Sequence, residues 1–158
     1  MFLYYKIPLM SPERQNFQRS IYLADDDADD RELFVDALKE VDPSVVLTQA
    51  KDGVQLMEIL NTIKDPLPEI LFLDLNMPGK SGFECLEEIR RQGGSLKEIN
   101  IIILSTSNDP QDIERALLLG ANFYAVKPNC FDMLKSFVKE MLQLDWDMNR
   151  KTEKFRLI

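Results

Sequence analysis

The sequence predicts a single α/β domain built on a parallel sheet with helices on both faces, and two observations indicate it. Short apolar runs alternate with amphipathic helical patterns five times along the chain. The third and fourth runs, at 70–73 and 101–104, are apolar at every position, which is typical of strands that are buried on both faces. We therefore expect one doubly wound sheet.

The elements follow in order along the chain. Strand patterns lie near residues 20–24, 45–50, 70–73, 101–104 and 122–126. Helical patterns lie near residues 29–41, 53–63, 82–91, 110–119 and 132–143. Gly82 permits a tight turn before the third helix, and Gly120 lies where the fourth helix ends. Right-handed crossovers then predict a five-stranded parallel sheet of order 2-1-3-4-5, the flavodoxin-like arrangement.

Length and charge limit the other classes. The chain has 158 residues, a net charge of -8 and 45% hydrophobic residues, which fits one globular domain. We assign residues 20–144 to that domain, with an N-terminal extension at 1–19 and a C-terminal extension at 145–158. Both extensions are net positive, so the domain is more acidic than the whole chain. Such a domain is not expected to bind nucleic acid.

The location is predicted from cysteines and from the N-terminus. Cys85 and Cys130 are too few for a disulfide framework and fit a reducing cytoplasm. Residues 1–10 are rather apolar, but Lys6 and Pro8 interrupt them and the stretch is too short to cross a bilayer. We expect a cytoplasmic protein that does not bind a membrane.

Asp74 is the first candidate functional residue. It ends the third strand and is followed by a Met77-Pro78 turn. In open α/β sheets, ligands bind just beyond the carboxyl ends of the strands. A lone carboxylate there can be a nucleophile, a metal ligand or a helix cap.

An acidic run follows the first strand, which the predicted strand order brings beside the third. Asp25 and Asp26 lie at the strand end itself, so that with Asp74 they form a pocket of hard oxygen ligands suited to Mg²⁺ or Mn²⁺. Asp29 and Asp30 are interpreted as acids in the first turn of the following helix, where they favour the positive end of its dipole.

A hydroxyl and an ammonium group end the last two strands. Ser105 follows the fourth strand, and Lys127 precedes Pro128 after the fifth. Each is commonly only a helix cap or a solvated side chain, yet both suit phosphoryl oxygens. Together with the acids they form one constellation at one edge of the sheet.

In this combination and order the motifs resemble the receiver domain of bacterial two-component response regulators, over residues 20–144. The acidic pair, the Asp74-Leu75-Asn76-Met77-Pro78-Gly79-Lys80-Ser81-Gly82 segment, Ser105 and Lys127-Pro128 carry the resemblance. It implies that Asp74 is phosphorylated, and that Asp25, Asp26, Asp74 and the backbone carbonyl of Asn76 bind Mg²⁺ or Mn²⁺. It further implies that Ser105 is the switch hydroxyl, that Lys127 stabilises the phosphoryl group, and that Tyr124 reorients on activation. Thr106 departs from the family, which often has Ala there, and is expected to narrow the site and slow phosphoryl entry or loss.

The resemblance also implies a function. The expectation is a stand-alone, chemotaxis-regulator-like response regulator that receives a phosphoryl group from a histidine kinase or a histidine phosphotransfer protein. It would signal to a downstream protein target through a phosphorylation-dependent change of its surface, because no output domain fits in residues 145–158. We expect no enzyme activity beyond slow self-phosphorylation and self-dephosphorylation. Both a monomer and a homodimer are compatible with the sequence.

Two alternatives belong to other functional classes. An aspartate-nucleophile phosphatase would use the same carboxylate, but Asp74-Leu75-Asn76 lacks the second acid that would protonate a leaving group. A receiver-like scaffold would bind partners without phosphorylation, and the intact acidic set argues against it.

Overall fold

The computed structural model describes residues 18–63 and 67–146, together with the main chain of residues 155–156. Most of both predicted extensions therefore lies outside the described residues. The strands are β1 Ser20–Ala24, β2 Val46–Ala50, β3 Ile70–Leu73, β4 Asn100–Ser105, β5 Phe123–Val126 and β6 Phe155–Arg156. The helices are α1 Ala28–Val41, α2 Gly53–Thr62, α3 Gly82–Arg91, α4 Pro110–Leu118 and α5 Phe131–Gln143, with a 3-10 helix at Gly94–Glu98.

The sheet has the predicted order 2-1-3-4-5, and every neighbouring pair in it is parallel. A sixth strand, β6, extends the sheet in parallel beside β5, with Phe155 opposite Phe123 and Arg156 opposite Tyr124. No sequence pattern predicts this strand. In this order β1 and β3 are neighbours, with β2 on one side of them and β4 and β5 on the other. The strand order thus changes direction between β1 and β3, which creates a crevice at their carboxyl ends.

Two apolar layers cover the sheet, and residues of β3 alternate between them. Ile70 and Phe72 pack with α1 and α5, whereas Leu71 and Leu73 pack with α2, α3 and α4. All four side chains are completely buried. A helix layer therefore lies against each face of β3. This confirms the prediction that the apolar third strand is buried on both faces.

The N-terminus of α1 explains the spacing of the first acidic residues. Asp27 is the N-cap residue, and its side chain accepts hydrogen bonds from the main-chain N–H groups of Asp29 and Asp30. Asp29 and Asp30 lie in the first turn, as predicted. The cap orients α1 so that its first turn lies next to the end of β1.

Gly82 and Gly120 have different structural roles. Gly120 has a φ of +107° just after α4, the left-handed conformation that glycine favours at a helix C-terminus. Gly82 has no positive φ, so conformational freedom does not explain it. A Cβ atom on Gly82 would instead lie 2.2 Å from the main-chain oxygen of Asp74, so the glycine allows α3 to begin directly against the end of β3.

The end of the described domain is held by Trp146. Its indole packs edge-on against Phe123 with ring centroids 5.3 Å apart, and its Nε1–H donates to the main-chain oxygen of Met141. Trp146 is buried in the layer formed by α1 and α5. Over the part of the chain that the structure describes, every helix is too short or too polar to cross a membrane.

Candidate functional site

The sheet itself positions the two central carboxylates. The main-chain N–H of Asp25 donates to the oxygen of Ala50 at 3.1 Å, and that of Asp74 donates to the oxygen of Ala24 at 3.0 Å. The hydrogen-bond ladder thus continues one residue beyond β1 and β3. Both aspartates are fixed by their backbones at the crevice, and each has a buried side chain.

Asp25, Asp26 and Asp74 converge as the sequence predicts. Each offers one carboxylate oxygen, and these three oxygens lie within 4.8 Å of one another. Asp26 is exposed, so the cluster opens to solvent on one side. Hard oxygen donors with an open side fit Mg²⁺ or Mn²⁺, which keep some water ligands and prefer carboxylates to softer groups.

Neighbouring main-chain groups orient the two buried carboxylates. The N–H of Asn76 donates to Asp74 Oδ1 at 3.2 Å, and the N–H of Asp27 donates to Asp25 Oδ1 at 2.9 Å. Arg31 donates from its guanidinium to the main-chain oxygen of Asp25 at 2.7 Å. Asn76 therefore lies beside Asp74, while the role of its carbonyl as a metal ligand stays a prediction.

Lys127 brings positive charge to the cluster from the end of β5. Its Nζ lies 2.8 Å from Asp25 Oδ2, 2.8 Å from Asp30 Oδ2 and 3.4 Å from Asp74 Oδ2. Burial alone would lower the pKa of the Lys127 ammonium, but the hydrogen bonds with Asp25 and Asp30 outweigh it and raise that pKa above its usual value. Lys127 is therefore a permanent cation.

Burial also raises the pKa values of the two buried aspartates. Loss of water raises the pKa of the Asp74 carboxyl to about 6; the attraction of Lys127 opposes this rise and repulsion by Asp25 adds to it. The pKa of Asp25 is raised for the same first reason, against a hydrogen bond from Lys127. Without a metal ion in the cluster, Asp25 and Asp74 thus bind protons more readily than exposed aspartates do.

The other predicted site residues lie along β4 and β5. Ser105 is completely buried at the end of β4, and its Oγ accepts a hydrogen bond from the N–H of Ser107 at 3.2 Å. The N–H of Lys127 donates to the main-chain oxygen of Ser105 at 2.7 Å, which ties the two strand ends together. Thr106 is exposed.

Tyr124 belongs to β5, the strand that Lys127 follows. Its ring is completely buried, and its hydroxyl donates to the main-chain oxygen of Ser107 at 2.8 Å. Burial raises the pKa of the Tyr124 hydroxyl, while hydrogen bonds with Ser105 and Ser107 oppose the rise. The Ser107 hydroxyl donates in turn to Asp112 Oδ2 at 2.6 Å, so the tyrosine is linked to the first turn of α4.

Asp30 has a second contact that no sequence pattern predicts. Its place in the first turn of α1 is correct, but its carboxylate also binds Lys127, 97 positions along the chain. A first-turn acid is explained equally well by the helix dipole, so the sequence carries no separate signal for this contact.

Comparisons with known proteins agree with this geometry. The family model of the response regulator receiver domain matches residues 21–139. Response regulator Rcp1 of Synechocystis sp. is 32% identical over 128 residues, which cover 78% of this chain and 86% of Rcp1. The probable C4-dicarboxylate response regulator DctR of Bacillus subtilis is 29% identical over 123 residues, which cover 78% of this chain and 52% of DctR. This chain thus spans about half of that relative.

Solved structures show the same fold. The phosphorylated cyanobacterial phytochrome response regulator RcpA aligns with a TM-score of 0.72 at 30% identity, covering 79% of this chain and 91% of RcpA. The Mn²⁺-bound form of Rcp1 aligns with a TM-score of 0.69 at 31% identity, covering 78% of this chain and 91% of Rcp1. With a family model that matches most of its length and relatives at this level of identity, the chain belongs to the response regulator receiver domain family.

Proposed function

We propose that this protein accepts a phosphoryl group on Asp74 from the phosphohistidine of a histidine kinase or a histidine phosphotransfer protein, and signals to a downstream protein through a change of its surface. One observation carries the proposal: Asp74 lies buried at the crevice with two further aspartates and the Lys127 ammonium around it. A buried nucleophile beside an ammonium group and further carboxylates that can hold a divalent cation suits the transfer of a dianionic group.

The donor set of the site fits a divalent cation. Asp25, Asp26 and Asp74, with the backbone carbonyl of Asn76, would hold Mg²⁺ or Mn²⁺. The bound cation would offset the repulsion between the carboxylate and the incoming phosphoryl oxygens. The convergence of three carboxylate oxygens supports this assignment, as does the Mn²⁺-bound form of the relative Rcp1.

The transfer step follows from the side chains of the site. A carboxylate oxygen of Asp74 attacks phosphorus, the bond between phosphorus and the donor's imidazole nitrogen breaks, and the imidazole leaves and takes up a proton. Lys127 pairs with one phosphoryl oxygen, and the Ser105 hydroxyl donates to another. Because the sequence has no histidine, the phosphohistidine is not one of these 158 residues.

The response would travel through Ser105 and Tyr124. Phosphorylation adds roughly two negative charges and three acceptor oxygens, which draw the Ser105 hydroxyl towards Asp74. The oxygen of Ser107 holds the Tyr124 hydroxyl, so a shift of the segment after β4 changes the surface formed by α4, β5 and α5. Thr106, exposed beside this segment, would slow the entry and loss of phosphoryl groups. Hydrolysis of the aspartyl phosphate resets the protein, and no faster enzyme activity is proposed.

Acetyl phosphate with Mg²⁺, followed by intact-mass measurement, tests the assignment. We expect the mass of one phosphoryl group on the parent and on Asp36→Asn, in which an exposed aspartate of α1 is changed, and none on Asp74→Asn. Undiminished labelling of Asp74→Asn would contradict the proposal. Rapid turnover of p-nitrophenyl phosphate by the parent would instead favour the phosphatase alternative.

We also propose a cytoplasmic location, which the free thiols of Cys85 and Cys130 support.

A further inference from the structure

Lys127 is shared unequally among three carboxylates. Its Nζ is 2.8 Å from Asp30 and from Asp25, but 3.4 Å from Asp74. The ammonium thus lies closer to an acid of α1 than to the proposed phosphoryl acceptor. Capping does not account for the Asp30 contact: the main-chain N–H groups of Asp29 and Asp30 both bind Asp27, and only Asp30 also pairs with Lys127 through its side chain.

The three partners of Lys127 differ in exposure. The side chains of Asp25 and Asp74 are 4% and 6% exposed, whereas that of Asp30 is 38% exposed. A buried carboxylate that loses its cation cannot regain water in its place, which is costly. An exposed carboxylate regains water in the same event and loses little.

The number of N–H donors on Lys127 favours an exchange of partners. A lysine ammonium has three N–H donors, and three carboxylates already surround that of Lys127. A phosphoryl group on Asp74 adds further strong acceptor oxygens at that place. A new bond from Lys127 to these oxygens replaces an existing contact, and the partly exposed Asp30 loses its contact at the lowest cost.

We propose that Asp30 is a positioning residue for Lys127: it holds the ammonium in the unphosphorylated protein and releases it when the phosphoryl group arrives. This inference rests on the proposed function of Asp74. Asp30 competes with the phosphoryl group for Lys127 and thereby lowers the affinity of the site for it. The stability of the phosphorylated state is in this way set partly by a residue that never touches the phosphoryl group.

Titration with beryllofluoride in the presence of Mg²⁺ tests the competition, because beryllofluoride mimics the phosphoryl group on an aspartate without a covalent bond. Asp30→Asn should lower the apparent dissociation constant about two- to fivefold, the range expected for a partly exposed ion pair. Asp29→Asn is the matched control: it removes the same charge from the same helical turn and leaves the Lys127 contact intact, so it should behave as the parent does. Asp30→Glu, which restores the charge, should return the constant towards the parent value. Thermal unfolding verifies that each variant is folded.

A double-mutant cycle separates the contact from charge at a distance. In a Lys127→Ala background, Asp30→Asn should have no larger effect than Asp29→Asn, because Asp30 acts through Lys127. An equal effect of Asp30→Asn and Asp29→Asn in the parent background would overturn the inference alone. So would weaker beryllofluoride binding by Asp30→Asn, or an Asp30→Asn effect that persists without Lys127. A parent that does not respond to beryllofluoride at all would overturn the proposed function, and this inference with it.

Discussion

The hydroxyl of Tyr124 donates a 2.8 Å hydrogen bond to the main-chain oxygen of Ser107, and the ring is completely buried. The hydroxyl links the ring directly to the segment between β4 and α4, which follows Ser105.

Tyr124→Phe should weaken this link while keeping the ring in place. We expect a loss of about 1 kcal/mol in the free energy of unfolding, since one hydrogen bond is deleted. Beryllofluoride should still bind, but the NMR shift changes that it causes in α4 should become smaller. Tyr22→Phe, at a buried tyrosine of β1 in the same apolar layer, is the control. Unchanged shift changes in α4 would show that the hydroxyl does not transmit the signal.

Asp74→Asn should stabilise the protein in metal-free buffer near neutral pH. The folded-state pKa of Asp74 is about 6, above the ordinary value of 3.8, so its protonation favours the folded state and that stability is lost as pH rises through about 6. The neutral Asn escapes the loss, with a gain on the order of 1–3 kcal/mol. Denaturant unfolding with a chelator present should show the gain above pH 6 and its decline towards pH 4, whereas Asp36→Asn should show none. A parent that is the more stable protein at neutral pH would contradict the burial argument.

Asp26→Asn should weaken the binding of Mg²⁺ about tenfold, because the affinity of a hard cation depends on the charge of its ligands. Asp26 is exposed, so the fold should be preserved. Calorimetric titration of the parent, Asp26→Asn and Asp29→Asn compares a proposed ligand with a nearby acid of equal charge. Equal Mg²⁺ affinities of all three would mean that Asp26 belongs only to the start of α1.

Gly82→Ala should displace the backbone that positions Asp74. The added Cβ would lie 2.2 Å from the oxygen of Asp74 and 2.7 Å from Cα of Leu75, so the start of α3 or the end of β3 must move. We expect a loss of roughly 1–3 kcal/mol in unfolding free energy, as for other overpacked positions, together with slower phosphorylation. Gly93→Ala, where no atom lies within 4 Å of the added Cβ, is the control. Full stability and phosphorylation of Gly82→Ala would refute the close-packing role.

Deletion of residues 147–158 should promote self-association. It removes β6, which pairs with Phe123 and Tyr124 of β5, and so leaves the edge of β5 open to other chains. Light scattering of the full and shortened chains, each with and without beryllofluoride, would reveal the change. Identical masses in every condition would mean that residues 147–158 have no role in assembly, and a homodimer would then have to form through other surfaces.

The sequence predicts the central fold because its signals are periodic. The strands at 20–24 and 70–73 and the helix at 82–91 agree with the structure at both ends, since apolar runs and helical stripes repeat there. β4 is longer than predicted and reaches from Asn100 to Ser105, because backbone pairing with β3 and β5 continues past the apolar residues. β6 has two residues, too few to form a period, and no pattern could indicate it.

In the candidate site, too, some contacts could be predicted from the sequence and others could not. The meeting of Asp25, Asp26 and Asp74 follows from strand order alone, which the sequence predicts. The contact between Asp30 and Lys127 depends on the direction of one side chain at the start of α1, and composition or spacing does not encode that direction. Gly82 was identified correctly, but for a turn rather than for its contact with the backbone of Asp74.

Trp146 provides a fluorescence signal for the unfolding of this domain. It is the sole tryptophan of the chain, and it packs on Phe123 in the layer of α1 and α5, on the side of the sheet away from Tyr124. Its emission should therefore shift to longer wavelength when the C-terminal end of the domain opens to water, and change little when the phosphoryl site is filled. The protein thus carries a built-in optical probe that reads unfolding separately from signalling, without an attached dye.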